Sequence, residues 1–254
     1  MIDLHAHVLP GIDDGARTLD ESLDVLRAMV ADGVRTVAAT PHVRNDWPTT
    51  VERMREGVGS LRAAVLEAGI EIEVLTGGEI DLGRLGALSV EERSGFGLGG
   101  NPRLLLLEFP YGDWPLGLGD AVFRLRSAGI VPLLAHPERN PEVQADPGRL
   151  QEVVRGGALV QVTAASVEGR LGSRSQECAL RLVELELAHV LASDAHAPLV
   201  RAGGLGAAAD ALGPVGRWMA SDVPAALLAG DELPQRPTPR RGWRLRLSRR
   251  AARD

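Results

Sequence analysis

The sequence predicts an α/β fold built on a mainly parallel sheet. Short runs of β-branched residues or leucine alternate with longer stretches in which apolar residues recur at helical spacing. The strand candidates are almost continuously apolar, as expected of strands that helices cover on both faces. The chain has 254 residues, a length common among single α/β barrels. We therefore expect one domain whose sheet is either open and doubly wound or closed into a barrel.

Seven strands and five helices follow from this alternation. The expected strands are 1–5, 34–40, 71–77, 103–109, 130–136, 158–163 and 189–193. The expected helices are 18–33, 50–69, 117–129, 146–157 and 173–188. In the first helix, Leu26 and Val30 lie on one face, and either Thr18 or Asp20 can cap its start, with Glu21 completing a capping box for Thr18. Four of these helices end at glycines that favour a left-handed cap: Gly33, Gly69, Gly129 and Gly157.

Composition excludes several classes of protein. With 44% hydrophobic and 24% charged residues, the chain is neither disordered nor membrane-like. It lacks a signal-peptide pattern and a long apolar segment, so we expect a cytoplasmic protein. The single cysteine, Cys178, rules out an internal disulfide and is expected to be an inert thiol on a helix face. Residues 97–102 lack the spacing of a dinucleotide-binding loop.

Charge divides the chain into an acidic body and a basic end. The last twenty residues hold eight arginines against Asp254, a net charge of +7, so the first 234 residues carry −13 of the total −6. We expect a body over 1–232 and a flexible, Arg/Pro-rich tail over 233–254. An acidic body argues against nucleic-acid binding. The tail remains open to contact with acidic lipid, RNA or the acidic body itself.

Histidine and carboxylate side chains fall at the carboxyl ends of the predicted strands. In chain order they are His5, His7, His42, Glu79, Glu108, His136, Asp194 and His196, and Asp14 joins them from the glycine-bounded turn after the first strand. In parallel α/β folds these strand ends converge on the ligand-binding crevice. A single histidine after a strand is usually structural, but so many imidazoles and carboxylates in one cleft require compensating cations.

The pattern therefore predicts a cluster of two or three divalent metal ions. His5 and His7 lie two apart on an extended segment and so point to the same side, while Ala6 faces away. A glutamate such as Glu79 can bridge two ions through its two oxygens. Nitrogen and oxygen ligands without thiolate favour manganese, with iron or zinc as alternatives.

The chain resembles the polymerase and histidinol phosphatase (PHP) family of metallo-phosphoesterases. The segments "MIDLHAHVLPGIDDGARTLDESL", "ATPHV", "GGEI", "LLLEFP", "LAHPER" and "ASDAH" are similar to those of the bacterial CpsB/YwqE-type tyrosine phosphatases of capsule and exopolysaccharide systems. The resemblance spans residues 1 to about 230, including a final segment at 221–230. It implies a distorted (β/α)7 barrel that hydrolyses phosphotyrosine by attack of a metal-bound hydroxide, on a cognate bacterial tyrosine kinase.

The resemblance also implies which side chains share an ion. One ion would be held by His5, His7, Glu79 and Asp194. A second would be held by Glu79, Glu108 and His136. A third would be held by Asp14, His42 and His196. Asp13 has two possible roles, a contact with metal or phosphate and the capping of a turn, of which turn capping is favoured.

Arginines and aromatic residues near the same strand ends are the expected substrate contacts. Arg139 and Arg201 are candidate phosphate clamps, because a planar guanidinium suits phosphate oxygens. The alternative for Arg139 is a surface ion pair with Glu138. Three aromatic residues are expected to line the mouth: Trp47, Tyr111 and Trp114. Asn140 departs from the family pattern, in which an aromatic residue often follows "HPER".

Two other functions remain open at this stage. The chain could hydrolyse a small metabolite such as histidinol phosphate, a nucleotide or a sugar phosphate on the same scaffold. It could also be a non-catalytic docking module with a relict site, which the intact set of candidate ligands argues against. The sequence does not predict the oligomeric state.

Overall fold

The computed structural model describes residues 1–196 and 204–238 and contains two sheets. The strands are Ile2–Ala6 (β1), Thr36–Ala39 (β2), His42–Val43 (β3), Glu73–Thr76 (β4), Glu79–Asp81 (β5), Leu104–Glu108 (β6), Val131–Ala135 (β7), Leu159–Thr163 (β8) and Val190–Ala192 (β9). One sheet has the order β1-β2-β4 and the other β3-β5-β6-β7-β8-β9. Every pair of neighbouring strands in these two sheets is parallel. The predicted α/β fold with parallel sheets is confirmed.

Two of the predicted strands are longer than expected and each is interrupted. The stretch that starts with β2 resumes as β3 after Pro41, which has no N–H to donate to a sheet. The stretch that starts with β4 resumes as β5 after Gly77 and Gly78. A Cβ on Gly78 would lie 2.6 Å from a ring carbon of Phe96, so only glycine allows this close approach.

Helices separate most of the strands. They are Leu19–Ala31 (α1), Val51–Glu67 (α2), Val90–Gly95 (α3), Leu118–Ser127 (α4), Pro141–Ala145 (α5), Leu150–Arg155 (α6), Ala164–Val167 (α7), Ser173–Glu184 (α8), Leu205–Leu212 (α9), Pro214–Arg217 (α10) and Val223–Ala229 (α11). A 3₁₀ turn, Pro147–Arg149, occupies the start of the predicted helix 146–157. Within the described ranges no helix is long and apolar enough to cross a lipid bilayer.

The predicted helix ends are largely confirmed. The Thr18 side chain caps α1 by accepting a hydrogen bond from Glu21 N at 3.2 Å. The Glu21 carboxylate accepts from Arg17 N at 2.8 Å instead of completing the capping box. The four predicted glycine caps all have positive φ, between 63° and 97°. Glycine adopts these φ values without steric cost. The left-handed glycine therefore ends each helix where the apolar pattern ends.

The first and last strands along the chain are linked across the two sheets. His7 N donates to Ala195 O at 2.7 Å, and Asp194 N donates to His5 O at 2.8 Å. Ala6 and Ala195 form a parallel bridge. These bonds hold the residues that follow β9 beside β1, so candidate ligands from both ends of the chain lie next to one another.

Cys178 lies on the buried face of α8, as predicted. Its Sγ donates to Val143 O at 3.6 Å, and burial raises the pKa of the thiol to about 12. The thiol therefore stays protonated at physiological pH and is a poor nucleophile.

The first residues of the predicted tail pack against the body. Trp218 Nε1 donates to Pro234 O at 3.0 Å. The Arg236 guanidinium lies over the Trp218 ring and donates to Ala188 O and Val183 O, both at 2.8 Å. These contacts anchor Pro234 and Arg236 to the body. Residues 239–254 lie outside the described residues, so the flexible tail stays a prediction.

His189, beside Arg236, should make the protein less stable in acid. Burial, and then the positive charge of Arg236, lower its pKa to about 4. Because this value is below the unfolded pKa of about 6.5, stability from the neutral ring is present above pH 6.5 and is lost as pH falls toward 4. Between pH 7 and pH 4, the free energy of unfolding should therefore fall by roughly 2–4 kcal/mol less in His189→Asn than in the wild type. Urea unfolding with a chelator at pH 4 and pH 7 tests this, and equal losses in both proteins would contradict it.

Candidate functional site

The nine candidate metal ligands converge on one region of the described structure. Their donor atoms form four overlapping groups, and in each group all donors lie within 4.8 Å of one another. The groups are His7, Asp14, His42 and His196; His5, Glu79 and His136; His5, His7 and Asp194; and His42, Glu79 and Glu108. Each predicted ligand belongs to at least one group, although they come from seven separate stretches of the chain.

His5 and His7 point to the same side of β1, as their spacing predicts. Their Nε2 atoms lie 3.1 Å apart. Asp194 Oδ1 is 3.4 Å from His5 Nε2 and 3.6 Å from His7 Nε2. Ligand atoms about 2.1 Å from one ion are roughly 3.0–3.4 Å apart, so this spacing fits a shared cation.

Glu79 lies at the centre of the cluster and is fully buried. Its Oε1 is 2.9 Å from His136 Nε2 and 3.4 Å from His5 Nε2. Its Oε2 is 2.8 Å from His42 Nδ1 and 3.4 Å from His7 Nε2. The two oxygens thus face different imidazoles, the arrangement required of a carboxylate that bridges two ions.

Asp14 forms the solvent-facing side of the cluster. Its Oδ1 lies 3.2 Å from His42 Nε2 and 3.3 Å from His196 Nε2. About half of the Asp14 side chain is exposed, whereas the other carboxylates of the cluster are buried. A third group of donors is therefore present where the cluster opens to solvent.

The predicted grouping of Glu79, Glu108 and His136 differs from the observed one. Glu108 shares a group with His42 and Glu79, and His136 shares one with His5 and Glu79. Glu79 is therefore common to both groups, and only Glu108 and His136 lie in separate ones. Glu79 pairs with Leu106, so Glu108 lies two residues farther along the neighbouring strand.

The electrostatics of the cluster fit cations. Although burial lowers the pKa of His5, the carboxylates of Glu79 and Asp194 raise it to about 9. Burial has the same effect on His42, but Asp14 and Glu79 raise its pKa to about 10. Burial, and then the charge of Glu79, raise the pKa of Glu108 to about 7. The carboxylates thus stabilise a proton on each of two imidazoles. A bound metal ion would take the place of that proton.

Unpartnered buried atoms support the same conclusion. His42 Nδ1 and Glu79 Oε2 lie 2.8 Å apart without hydrogen-bond alignment, and both atoms are buried without a hydrogen bond. Glu108 Oε2 is likewise buried without a hydrogen bond. Leaving such atoms unsatisfied is costly, and coordination to an ion would satisfy them. The residues present therefore fit a divalent metal.

Two ligand candidates have strained backbones. His136 has φ of 39° and Asp194 has φ of 51°, in the left-handed region that non-glycine residues rarely adopt. His136 directly follows β7, and Asp194 lies two residues after the end of β9. Strain of this kind is concentrated at functional sites, where surrounding contacts hold it in place.

Asp13 connects two of the candidate ligands. Its Oδ2 accepts from His7 Nδ1 at 2.7 Å and from His42 N at 3.0 Å, while Oδ1 accepts from Gly15 N at 3.0 Å. The last contact is the expected turn-capping bond. The first holds the His7 ring with Nε2 toward the cluster, so Asp13 also orients a ligand.

Arg139 lies beside the cluster and pairs with Asp194. Its Nη1 is 2.7 Å from Asp194 Oδ2, and its guanidinium carbon is 4.5 Å from the centre of the Tyr111 ring. Glu138, the alternative partner, points inward and accepts from Thr163 N at 2.9 Å. The ion pair with Glu138 is therefore not formed. A guanidinium so placed can bind phosphate oxygens beside the candidate ligands.

The comparisons with known proteins identify the family. Residues 1–221 match the family described as capsular polysaccharide synthesis, CpsB/CapC. The chain belongs to the CpsB/CapC family. This confirms the resemblance predicted from the motifs.

Relatives of this CpsB/CapC protein include two tyrosine-protein phosphatases. YwqE of Bacillus subtilis (strain 168) is 36% identical over 205 residues, which cover 77% of this chain and 77% of YwqE. CpsB of Streptococcus pneumoniae is 28% identical over 202 residues, which cover 77% of this chain and 83% of CpsB. A crystal structure from a study of YwqE and CpsB, described as unique metal-dependent tyrosine phosphatases, matches with a TM-score of 0.84 at 32% identity. The match covers 95% of this chain and 100% of that chain.

The aromatic candidates of this CpsB/CapC protein occupy different positions. The Tyr111 ring stacks on His136, with centroids 5.3 Å apart and planes 10° apart. Trp114 packs edge-on against Phe109, and Arg149 lies over its ring. Trp47 is half-buried in the loop after β3. Arg201, the other predicted clamp, lies outside the described residues.

Two further residues that contact the candidate ligands were not singled out from the sequence. Gln161 Oε1 accepts from His136 N at 3.2 Å and lies 3.0 Å from His5 Nδ1, so one amide positions two candidate ligands. Arg44 Nη1 donates to Glu108 Oε1 at 3.0 Å, which leaves only Oε2 facing the cluster. Gln161 is a polar residue between two valines in a buried strand, and this pattern could have singled it out. Arg44 gave none.

Replacing Asp13 with alanine should weaken metal binding. Without its carboxylate the His7 ring loses the bond that fixes its orientation, and removal of such a partner costs about 10- to 100-fold in metal affinity. Titration of manganese into the chelator-treated protein measures the change. Asp24→Ala, on the exposed face of α1, is a control of the same chemistry. Equal affinities in wild type and Asp13→Ala would contradict the orienting role.

Proposed function

We propose that this chain is a metal-dependent protein-tyrosine phosphatase, a phosphoric monoester hydrolase. The observation that carries this proposal is the convergence of nine histidine and carboxylate side chains beside the Arg139 guanidinium, whose side chain is 15% exposed. The names of YwqE and CpsB as tyrosine-protein phosphatases support it. So does the description of structures of this family as metal-dependent.

The chain would hold two or three divalent ions, with manganese as the first choice and iron or zinc as alternatives. The proposed ligands are the nine residues of the cluster: His5, His7, Asp14, His42, Glu79, Glu108, His136, Asp194 and His196. When bound, such ions lower the pKa of a coordinated water and neutralise charge on phosphoryl oxygens. Three overlapping sets of donors that share Glu79 or His42 support more than one ion.

Substrate would be held by arginines and aromatic residues around the cluster. Arg139 would bind the phosphoryl oxygens through its planar fork, and Arg201 is proposed as a second clamp on sequence grounds alone. Tyr111 would contact the phenyl ring of the substrate, and its exposure of 42% supports this role. Trp47 and Trp114 are proposed as further contacts from their loops. A phenolate leaving group with a pKa near 10 reduces the demand for an acid.

We also propose that the two sheets form one distorted (β/α)7 barrel. The interrupted pairs β2/β3 and β4/β5 each belong to one stretch of chain, so nine strands correspond to seven. The backbone bonds between β1 and residues 194–195 support closure. A closed ring of strand ends explains how ligands from the first and last strands share a group.

The substrate we propose is a phosphotyrosine protein, specifically a bacterial tyrosine kinase of capsule or exopolysaccharide synthesis. The family's link to capsular polysaccharide synthesis supports this choice. We place the reaction in the cytoplasm, where ATP-dependent kinases would form the phosphotyrosine.

A substrate panel tests the proposed activity. With manganese bound, we expect kcat/KM for phosphotyrosine peptides to exceed that for histidinol phosphate, nucleotides and sugar phosphates by at least about tenfold, since a phenolate is a better leaving group than an alkoxide. Initial rates of phosphate release measure it. Equal or faster turnover of a small metabolite would assign the site to that metabolite instead.

A further inference from the structure

The Asn140 side chain uses all of its hydrogen-bonding capacity, in two directions. Its Oδ1 accepts from Glu142 N at 2.8 Å and Val143 N at 3.2 Å, which caps α5. Its Nδ2 donates to Pro110 O at 2.8 Å and Gly112 O at 2.6 Å, on both sides of Tyr111. Only a side-chain amide can accept two N–H groups at one atom and donate to two carbonyls at the other.

The loop held by Asn140 carries the ring that supports Arg139. Asn140 is 1% exposed, so its bonds are made away from water. Between the two tethered carbonyls, Tyr111 lies against the Arg139 guanidinium at 4.5 Å and stacks on His136. The same guanidinium pairs with Asp194 at 2.7 Å. Its orientation is therefore determined by a carboxylate on one side and by an aromatic ring whose loop depends on Asn140.

We propose that Asn140 is a positioning residue for phosphate binding: by tethering residues 110–112, it holds Tyr111 where the ring orients the Arg139 guanidinium. This inference rests on the proposed function, in which Arg139 binds the phosphoryl group. It explains why an asparagine follows "HPER" here. An aromatic residue at that position could neither cap α5 nor donate to the two carbonyls.

The variant Asn140→Ser should lose the bonds to Pro110 O and Gly112 O but keep the cap of α5. Serine is as good an N-cap as asparagine, but it cannot donate to two carbonyls. We expect the manganese-loaded variant to bind inorganic phosphate about tenfold more weakly by calorimetry, because small displacements of a clamp are costly. KM should rise for phosphotyrosine peptide and for an alkyl phosphate by similar factors. Asn101→Ser, which removes a similar amide-to-carbonyl bond between Asn101 and Leu227, is the matched control and should bind phosphate normally.

A double-mutant cycle tests whether Asn140 acts through Arg139. In an Arg139→Ala background, Asn140→Ser should have no further effect on phosphate affinity. Tyr111→Leu should reproduce the loss and Tyr111→Phe should rescue it, and this pair carries the test if Asn140→Ser is unfolded. Unchanged phosphate affinity, an effect confined to aryl substrates, or additive effects with Arg139→Ala would overturn the proposal.

The failure of this inference can be distinguished from failure of the proposed function. If the wild-type protein binds phosphate but hydrolyses no phosphotyrosine, the activity is wrong, and the calorimetric comparison of variants still decides the role of Asn140. Hydrogen exchange of the amides at 111–114 needs neither metal nor substrate. It should be faster in Asn140→Ser than in Asn101→Ser, and equal rates would overturn the tether.

Discussion

Glu79→Gln should reduce kcat/KM for phosphotyrosine peptide by roughly 10³-fold or more, with a matching loss of bound metal. Each Glu79 oxygen lies within 3.4 Å of two imidazole nitrogens, and all four donor groups contain Glu79 or an imidazole that it contacts. A neutral amide has one weak acceptor oxygen and presents an NH₂ group to the imidazoles on its other side. Bridging two ions is then impossible.

Metal content measured by mass spectrometry, together with initial rates, checks this result. Glu138→Gln is the matched control, because Glu138 is also fully buried but accepts its bonds from Thr163 N and Ser166 Oγ. An amide oxygen can still accept both of those bonds, so this variant should keep its metal. Full metal content or near-normal activity in Glu79→Gln would remove Glu79 from the centre of the site.

Removing the metal with a chelator should abolish activity and lower the melting temperature by roughly 10 °C. An ion that binds only the folded state at a free concentration about a thousandfold above its Kd adds about 4 kcal/mol to the free energy of unfolding. Without it, the buried carboxylates lose their main counter-charge, and protons on His5 and His42 compensate only in part.

Calorimetric or fluorescence melting of the loaded and chelated protein measures the shift, and adding back manganese should restore both stability and activity. Glu79→Gln serves as the control, since chelation should change its melting temperature very little. A chelated wild-type protein that keeps its activity would contradict metal-dependent hydrolysis outright.

The sequence predicts the strands and long helices because their signals are local. Continuous apolar runs, helical spacing and terminal glycines each depend on a few neighbouring residues, and the caps at Thr18 and Gly33 follow from them. The break after β2 coincides with Pro41, a local feature, whereas the break after β4 depends on distant packing. Gly78 is required by the nearby Phe96 ring, which lies many residues away in the chain.

The candidate ligands were recognisable for the same reason, but their grouping was not. His5 and His7 share a side because strands alternate with a period of two. The assignment of Glu108 to an ion depends on the register between β5 and β6, and no single strand records that register. The contact of Arg139 with Asp194, rather than with its neighbour Glu138, likewise depends on how two strand ends meet.

By itself, the sequence determined the family, the alternation of strands and helices, and which nine side chains are the candidate ligands. These features follow from residue type and spacing along the chain. Only the tertiary structure decided how Glu79 faces four imidazoles, how Asp13 and Gln161 orient His7 and His5, and how Asn140 ties the Tyr111 loop. Those contacts join residues far apart in the chain, so they exist only once the parallel strands have aligned.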